Sequence, residues 1–202
     1  MNISTCGQQP AQMRLYDQTN RRLYVNAEER RRFIAVANDQ NLPQKALCLT
    51  LLHTGCRLSE ALALTSEAVD TMSDLVSIRT LKKRDRHHVR EIPIPPVLSR
   101  TLASLMEAQA NENFLWPENP NRPVCRITGY RWVKKVMTAA GISGAQASPK
   151  GLRHGYGVYA LRCGVPLTML RKWMGHASIE TTAIYTNAVG KEEMEFAGRM
   201  WS

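Results

Sequence analysis

The chain has 202 residues, 44% of them hydrophobic, which is enough for one domain with its own core and few for two. Lysine and arginine number 27 against 17 acidic residues, so the formal net charge is +10. Such a surplus points to a polyanionic partner, although a solvated basic surface would have the same composition. No apolar run approaches the ~18 to 20 residues of a membrane span, and the polar N-terminus lacks a signal-peptide core. We therefore expect a cytoplasmic protein without a membrane partner.

The cysteine pattern excludes two further kinds of protein. Cysteines lie at positions 6, 48, 56, 125 and 163, an odd number without the CxxC spacing of zinc sites and redox motifs. We therefore expect reduced thiols, most of them in the core, and neither a disulfide framework nor a metal site.

The beginning of the chain predicts a polar segment and then helices. Residues 1–24 are polar and irregular, and we expect them to form a loosely attached extension. Asn26 is a suitable N-cap for a first helix, and the leucines of 47–52 predict a buried second helix that Gly55 ends. A third helix should start in 58–64.

One β-hairpin follows, and the remainder is helical. Hydrophobicity alternates in residues 75–81 and 89–94, which predicts a hairpin whose long tip, 82–88, has the cationic sequence KKRDRHH. Helical periodicity and helix-ending glycines then predict helices over about 97–110, 126–140, 149–162, 167–174, 178–187 and 191–200. The fold class is therefore mainly α with a small antiparallel β-sheet (α+β).

Two arginines, a histidine and a tyrosine stand in separate motifs along the chain. Arg57 lies in TGCRLSE at 54–60, Arg153 in SPKGLRH at 148–154, and Tyr185 follows His176 by nine positions. Each has an ordinary structural explanation. Arg57 can pair with Glu60, and Arg153 can belong to a solvated basic turn. His176 can meet helix carbonyls, and Tyr185 can be a half-buried core tyrosine. Together they are the groups needed to attack a DNA phosphodiester with a tyrosine hydroxyl.

This combination of motifs resembles a known family. The segments TGCRLSE, LRH, WMGH and TTAIY match, in order and spacing, the catalytic domain of the tyrosine recombinases, the phage-integrase type, over about residues 25–190. The resemblance implies the DNA breaking-rejoining fold of that family. It also implies a site-specific recombinase that acts on double-stranded DNA, for integration, inversion or resolution, without a metal or another cofactor.

The resemblance assigns a role to each of the four residues. Tyr185 would attack the scissile phosphate and leave a 3′-phosphotyrosine and a free 5′-hydroxyl. Arg57 and Arg153 would hold the two non-bridging oxygens, where charge grows in the transition state. His176 would donate a hydrogen bond to the same phosphate.

Basic residues elsewhere receive roles from the same resemblance. The family's leaving-group acid is a lysine beside the hairpin turn, and the family's spacing indicates Lys82 for this role, with Lys83 next in line. Lys83, Arg84 and Arg86 are expected to contact DNA. The family's second motif usually reads His-x-x-Arg, whereas Lys150 takes the first place here. Because lysine is a poor base near neutral pH, we expect Lys150 to act as an electrostatic clamp or hydrogen-bond donor.

The expected domain plan is a reduced one, similar to that of the small fimbrial phase-variation invertases. We expect an extension over 1–24 in place of the family's N-terminal core-binding domain, the catalytic domain over 25–190, and a C-terminal helix over 191–202. That helix either folds on its own core or docks on a neighbouring protomer in a tetramer on DNA. An accessory DNA-binding protein is a further possible partner, which would strengthen binding to DNA. Its candidate anchors are Met194, Phe196, Ala197, Met200 and Trp201.

Two other functions stay open at this stage. A type IB topoisomerase-like enzyme would use the same chemistry to relax supercoiled DNA. A non-catalytic DNA-binding regulator, derived from a recombinase, would keep the fold and the charge without cleavage. The presence of all four motif residues favours catalysis.

Overall fold

The structure is a computed structural model that describes residues 13–81, 88–109, 113–119, 122–188, 191–198 and 200–201, without the side chains at 191, 192, 195 and 196. The α-helices are α1 (Ala27–Asn38), α2 (Leu42–Thr54), α3 (Leu58–Leu62), α4 (Pro96–Ala108), α5 (Arg126–Ala139), α6 (Pro149–Arg162), α7 (Leu167–Met174), α8 (Glu180–Ala183) and α9 (Lys191–Gly198). Short 3-10 helices cover Ser66–Ala68 and Ile184–Asn187.

The strands form two small antiparallel sheets. In the first, β1 (Val69–Asp70), β2 (Leu75–Arg79) and β3 (Val89–Pro93) lie in that order. The second pairs β4 (Pro117–Asn119) with β5 (Arg122–Pro123). The prediction of a mainly α fold with a small antiparallel sheet is confirmed, and β2 and β3 are the strands of the predicted hairpin. The second sheet is not predicted by the sequence, since its strands are too short to show alternation.

Local sequence signals explain the helix ends that position the site. The Ser148 side chain accepts a hydrogen bond from the backbone N–H of Gly151, and Pro149 opens α6. Gly55 after α2 and Gly175 after α7 adopt φ values of 61° and 62°, in the left-handed region that glycine enters without steric cost. The predicted bounds of α6 and α7 are confirmed. The helix predicted over 178–187 instead divides into α8 and a 3-10 turn.

Two apolar clusters hold the elements together. The larger one surrounds α2, whose Leu47 is fully buried, and includes Phe33 of α1 and Ile92 of β3. The smaller one lies between α6, α7 and the N-terminal segment, and contains Leu170 and Tyr185. Burial of such side chains contributes about 1.5–3 kcal/mol each to folding before entropy is counted.

Residues 13–24 differ from the loosely attached extension that we expected. Leu15 and Tyr24 are buried in the smaller cluster, and a turn at Asp17–Arg21 lets the backbone N–H of Leu23 donate to the carbonyl oxygen of Leu15. Arg22 also pairs with Glu29 of α1. The segment is polar overall, so its composition did not predict this packing. Its two well-spaced apolar side chains, Leu15 and Tyr24, are enough to hold it against the smaller cluster.

In the described part of the chain, no helix has the length and apolar character needed to cross a membrane. The same residues contain no group of three or more His, Cys, Asp and Glu side chains placed to hold a metal ion.

Candidate active site

Arg153 occupies the centre of the site and joins three elements. It lies in the second turn of α6, is 7% exposed, and donates hydrogen bonds to two backbone carbonyls, those of Gly55 (2.6 Å) and Met174 (2.7 Å). These carbonyls end α2 and α7, so one guanidinium fixes both helix ends. Burial lowers the Arg153 pKa to about 10, and the positive charge of Arg57 is the second cause of this shift. Arg153 is therefore still a cation at neutral pH.

Arg57 stands at the beginning of α3, close enough to Arg153 to lower its pKa. Its Nη1 donates to Oε1 of Glu60 at 2.7 Å, and its backbone N–H donates to Oε2 of the same carboxylate at 2.9 Å. The arginine side chain remains 30% exposed, whereas that of Glu60 is 1% exposed. The pairing with Glu60 therefore orients Arg57 and leaves part of its guanidinium open to a ligand.

His176 follows the glycine that ends α7. Its Nδ1 lies 2.9 Å from the hydroxyl of Thr182, and its Nε2 is buried without a hydrogen-bond partner among the described residues. Burial, and after it Arg153 and Arg57, lower the His176 pKa to about 3, so the ring is neutral at pH 7. A buried imidazole nitrogen that feels the charge of two arginines is a group that a bound ligand would satisfy.

Tyr185 stands in the 3-10 helix that follows α8 and is 2% exposed. Its ring stacks on His176, with centroids 6.2 Å apart, and a Cβ on Gly157 would lie 2.6 Å from its Cζ. Burial raises the pKa of Tyr185, while Arg153 and Arg57 act in the opposite direction. The phenol is therefore protonated at neutral pH and close to two cations.

The structure thus brings Arg57, Arg153, His176 and Tyr185 into one cluster, which we call the cationic centre. Two guanidinium groups and an imidazole nitrogen beside a phenol can bind an oxyanion and orient it toward the tyrosine oxygen. Lys150 lies in the first turn of α6, is exposed, and is close enough to His154 to lower the pKa of that imidazole. Lys82, Lys83, Arg84 and Arg86 lie outside the described residues.

Sequence reasoning missed two buried residues next to the cationic centre. His154 directly follows Arg153, and its Nδ1 lies 3.4 Å from the Tyr185 hydroxyl. Burial, then Lys150 and Arg153, lower the His154 pKa to about 4. Arg90 is 1% exposed and hydrogen-bonds to Glu60. The alternation of β3 could have revealed it, because Arg90 shares the inward face with Ile92.

The predicted anchors of the C-terminal helix are mostly open to solvent. Met194, Met200 and Trp201 are 63%, 75% and 70% exposed. Ala197 and Met200 line a cavity of about 530 Å³ that also borders Tyr185 and the end of α6. The Phe196 side chain lies outside the description.

Solved structures with the same fold support the comparison of this arrangement with known proteins. The XerA recombinase superposes with a TM-score of 0.78 at 23% identity, over 89% of this chain and 65% of that chain. The XerH site-specific recombinase bound to its difH substrate gives a TM-score of 0.72 at 18% identity, over 93% of this chain and 60% of that one. The predicted tyrosine recombinase catalytic-domain fold is therefore confirmed.

Sequence relatives agree with the structural ones. A tyrosine recombinase of Thermosipho africanus is 25% identical over 85% of this chain and 59% of its own length, and XerA of Pyrococcus furiosus is 27% identical over 87% and 60%. A resolvase of Escherichia coli K12 is 29% identical over 72% of this chain and 65% of its own. The chain thus spans about three fifths of the first two relatives. Residues 23–192 match the phage integrase family, and the chain belongs to that family.

Proposed function

We propose that this protein is a site-specific DNA recombinase that cleaves and rejoins double-stranded DNA through a 3′-phosphotyrosine intermediate. The observation that carries the proposal is the cationic centre itself, in which Arg57 and Arg153 act electrostatically on the buried phenol of Tyr185 and His176 stacks on its ring. A basic protein with these groups at one point has the parts for phosphoryl transfer to tyrosine.

In the proposed cleavage step, the Tyr185 oxygen attacks phosphorus and the bond to the 5′-oxygen breaks. The tyrosine proton leaves to a base, and the 5′-oxygen takes up a proton to become a hydroxyl. Arg57 and Arg153 would hold the non-bridging oxygens, and Nε2 of His176 would donate a third hydrogen bond to them. Religation is the reverse reaction, with a 5′-hydroxyl of the partner strand as nucleophile.

The protonation state of Tyr185 makes the cations necessary. An ordinary tyrosine is only about 0.1% ionised at pH 7, a deficit of about 4 kcal/mol, and burial raises the pKa of Tyr185 further. The positive charges of Arg57 and Arg153 offset part of this cost in the transition state. Lys82, or Lys83 beside it, is our candidate for the acid that protonates the leaving oxygen, and Lys150 for an electrostatic clamp.

DNA as the partner is supported by charge and by relatives. The formal net charge is +10. Among the structures with this fold, XerH is bound to difH substrate, and the Tn1549 transposon integrase is in complex with a circular intermediate DNA. If the protein neutralises 6 to 10 phosphates, its affinity should fall by about 10³- to 10⁵-fold between 50 and 200 mM salt.

Assembly on DNA is proposed to use the C-terminal helix. The exposed side chains of Met194, Met200 and Trp201 would bury themselves against a neighbouring protomer, as large apolar groups do at interfaces. A homo-tetramer on two DNA sites, with an accessory DNA-binding protein where one exists, is the arrangement that we propose.

The proposal is tested by covalent trapping on nicked suicide duplexes tiled from the DNA that flanks the gene. Wild type and Tyr185→Phe are compared in EDTA on a denaturing gel. We expect an EDTA-resistant adduct with wild type and none with the variant. Binding without any adduct would favour the non-catalytic regulator, and sequence-independent relaxation of supercoiled plasmid would favour the topoisomerase-like enzyme.

A further inference from the structure

Arg90 is a buried cation that the proposed chemistry does not use. It lies in β3, opposite Ile78 of β2, and is 1% exposed. A guanidinium in such a position needs several hydrogen bonds to offset its lost hydration. The partners of Arg90 come from three separate elements, and two of these partners lead directly to the cationic centre.

The first of these partners is Glu60. Nη2 of Arg90 donates to Oε2 of Glu60, and this same oxygen accepts the backbone N–H of Arg57. The other carboxylate oxygen accepts Nη1 of Arg57. Because Arg90 anchors one oxygen from within the core, it fixes the plane of the carboxylate, and that plane sets the direction of the Arg57 fork.

The second partner is the end of α7. Nε of Arg90 donates to the carbonyl oxygen of Trp173 at 2.8 Å, and a Cβ on Gly175 would lie 3.0 Å from Cζ of Arg90. The guanidinium therefore packs against the backbone of the turn from which His176 emerges. Its Nη1 donates to the hydroxyl of Thr80 at 2.9 Å, which ties the same group to the end of β2.

We propose that Arg90 is a positioning residue that sets Arg57 and the turn of His176 in one fixed arrangement around the scissile phosphate. The inference rests on the proposed function. Arg90 is covered by protein and so does not touch the DNA; it acts through Glu60 on one side and through the turn at Trp173–Gly175 on the other. A displacement of about 1 Å in such groups is enough to slow a reaction by about 100-fold.

The structure offers a matched control in Arg22. Like Arg90, it binds a glutamate and a backbone carbonyl: two of its nitrogens donate to Glu29 at 2.7 and 2.9 Å, and one also donates to the Tyr24 carbonyl oxygen at 3.0 Å. Arg22→Lys and Arg90→Lys both keep a positive charge and remove a guanidinium fork, but only Arg90 is connected to the cationic centre.

The experiment measures the single-turnover rate of adduct formation at saturating protein, the Kd for the duplex, and the urea midpoint of each variant. We expect Arg90→Lys to lower the rate by about 10- to 100-fold with a Kd within about threefold of wild type. Arg22→Lys should keep the wild-type rate. If Arg90→Lys does not fold, Thr80→Val is used instead, because it removes one hydrogen bond of the Arg90 guanidinium without a charge change. It should lower the rate by about three- to tenfold.

A double-mutant cycle separates positioning from general loosening of the fold. In the Arg57→Lys background the Arg90→Lys factor should shrink to about threefold or less, because the share that acts through Arg57 is already lost and only the share through the turn of His176 remains. An unreduced factor there, or a wild-type rate in Arg90→Lys or Thr80→Val, would overturn the positioning role alone. If wild type gives no Tyr185-dependent adduct, the proposed function falls and the positioning role falls with it.

Discussion

The cationic centre and the C-terminal helix α9 are held in opposite ways. Arg153 and His176 are buried and fastened by hydrogen bonds from other elements, whereas Met200 and Trp201 after α9 are 75% and 70% exposed. The centre is thus a rigid, costly arrangement that the fold itself maintains. The helix carries apolar area that the described chain does not cover, and for this reason we propose a neighbouring protomer as its partner.

The largest difference between the two regions should appear on removal of Arg153. Arg153→Ala leaves the carbonyl oxygens of Gly55 and Met174 without their donor, and we expect a loss of about 2–5 kcal/mol in the free energy of unfolding. Adduct formation should fall by about 100- to 1,000-fold or more. Urea unfolding and suicide-duplex trapping measure the two effects. Exposed Arg100→Ala is the control, and equal losses in both variants would contradict the account.

A pair of glycine substitutions compares the packing of the regions. In Gly157→Ala the new methyl would meet the Tyr185 ring, and the free energy of unfolding should fall by about 1–3 kcal/mol. In Gly198→Ala of α9 nothing lies within 4 Å, so stability should stay unchanged or rise by up to about 1 kcal/mol. Urea denaturation distinguishes them, and a neutral Gly157→Ala would show that Tyr185 is not tightly packed.

Only the buried histidines should make stability sensitive to mild acid. The pKa values of His154 and His176 are lowered to about 4 and about 3, and half-buried His53 behaves likewise at about 4. As the pH falls, histidines in the unfolded chain take up protons before those in the folded protein. The free energy of unfolding is therefore highest above about pH 6.5. Below that it declines toward the folded pKa values, by about 1 kcal/mol per pH unit for each histidine.

Urea midpoints between pH 7.5 and 5 measure this decline, in a window above the ordinary carboxyl pKa values. His154→Asn and His176→Asn should each remove their share of the slope. Residues 191–202 contain no histidine, so changes there should leave the slope intact. A midpoint that does not move between pH 7.5 and 5 would contradict the buried neutral histidines.

The smallest expected effect on folding belongs to the C-terminal segment. Trp201→Ala should change the free energy of unfolding by less than about 0.5 kcal/mol, because the side chain is 70% exposed. The same change should weaken assembly of several protomers on duplex DNA, which native gels report. A loss of several kcal/mol in the absence of DNA would place Trp201 in the protein's own core.

The sequence predicted those features that have local physical causes. Ser148-Pro149 and Gly175 mark helix ends by capping and by left-handed backbone, and α6 and α7 were accordingly predicted with correct bounds. The family and its fold were indicated by the motifs around Arg57, Arg153, His176 and Tyr185, and both are confirmed.

The features that the sequence did not predict depend on contacts between distant elements. Arg90 meets Trp173 across 83 positions, and no local pattern pairs them. The packing of Leu15 against the smaller cluster likewise depends on a tertiary surface that composition does not reveal. The contact between Nδ1 of His154 and the Tyr185 hydroxyl arises because the Tyr185 ring, from the last 3-10 helix, packs against α6 at Gly157.

The most direct test of the central claim is to locate the DNA on the protein. The trapped adduct is digested with nuclease and trypsin, and the modified peptide is sequenced by mass spectrometry. Tryptic peptide 173–191 has Tyr185 as its one tyrosine. We expect a nucleotide joined to Tyr185 through its 3′-phosphate. A nucleotide on any other residue, or one joined through a 5′-phosphate, would contradict the central claim.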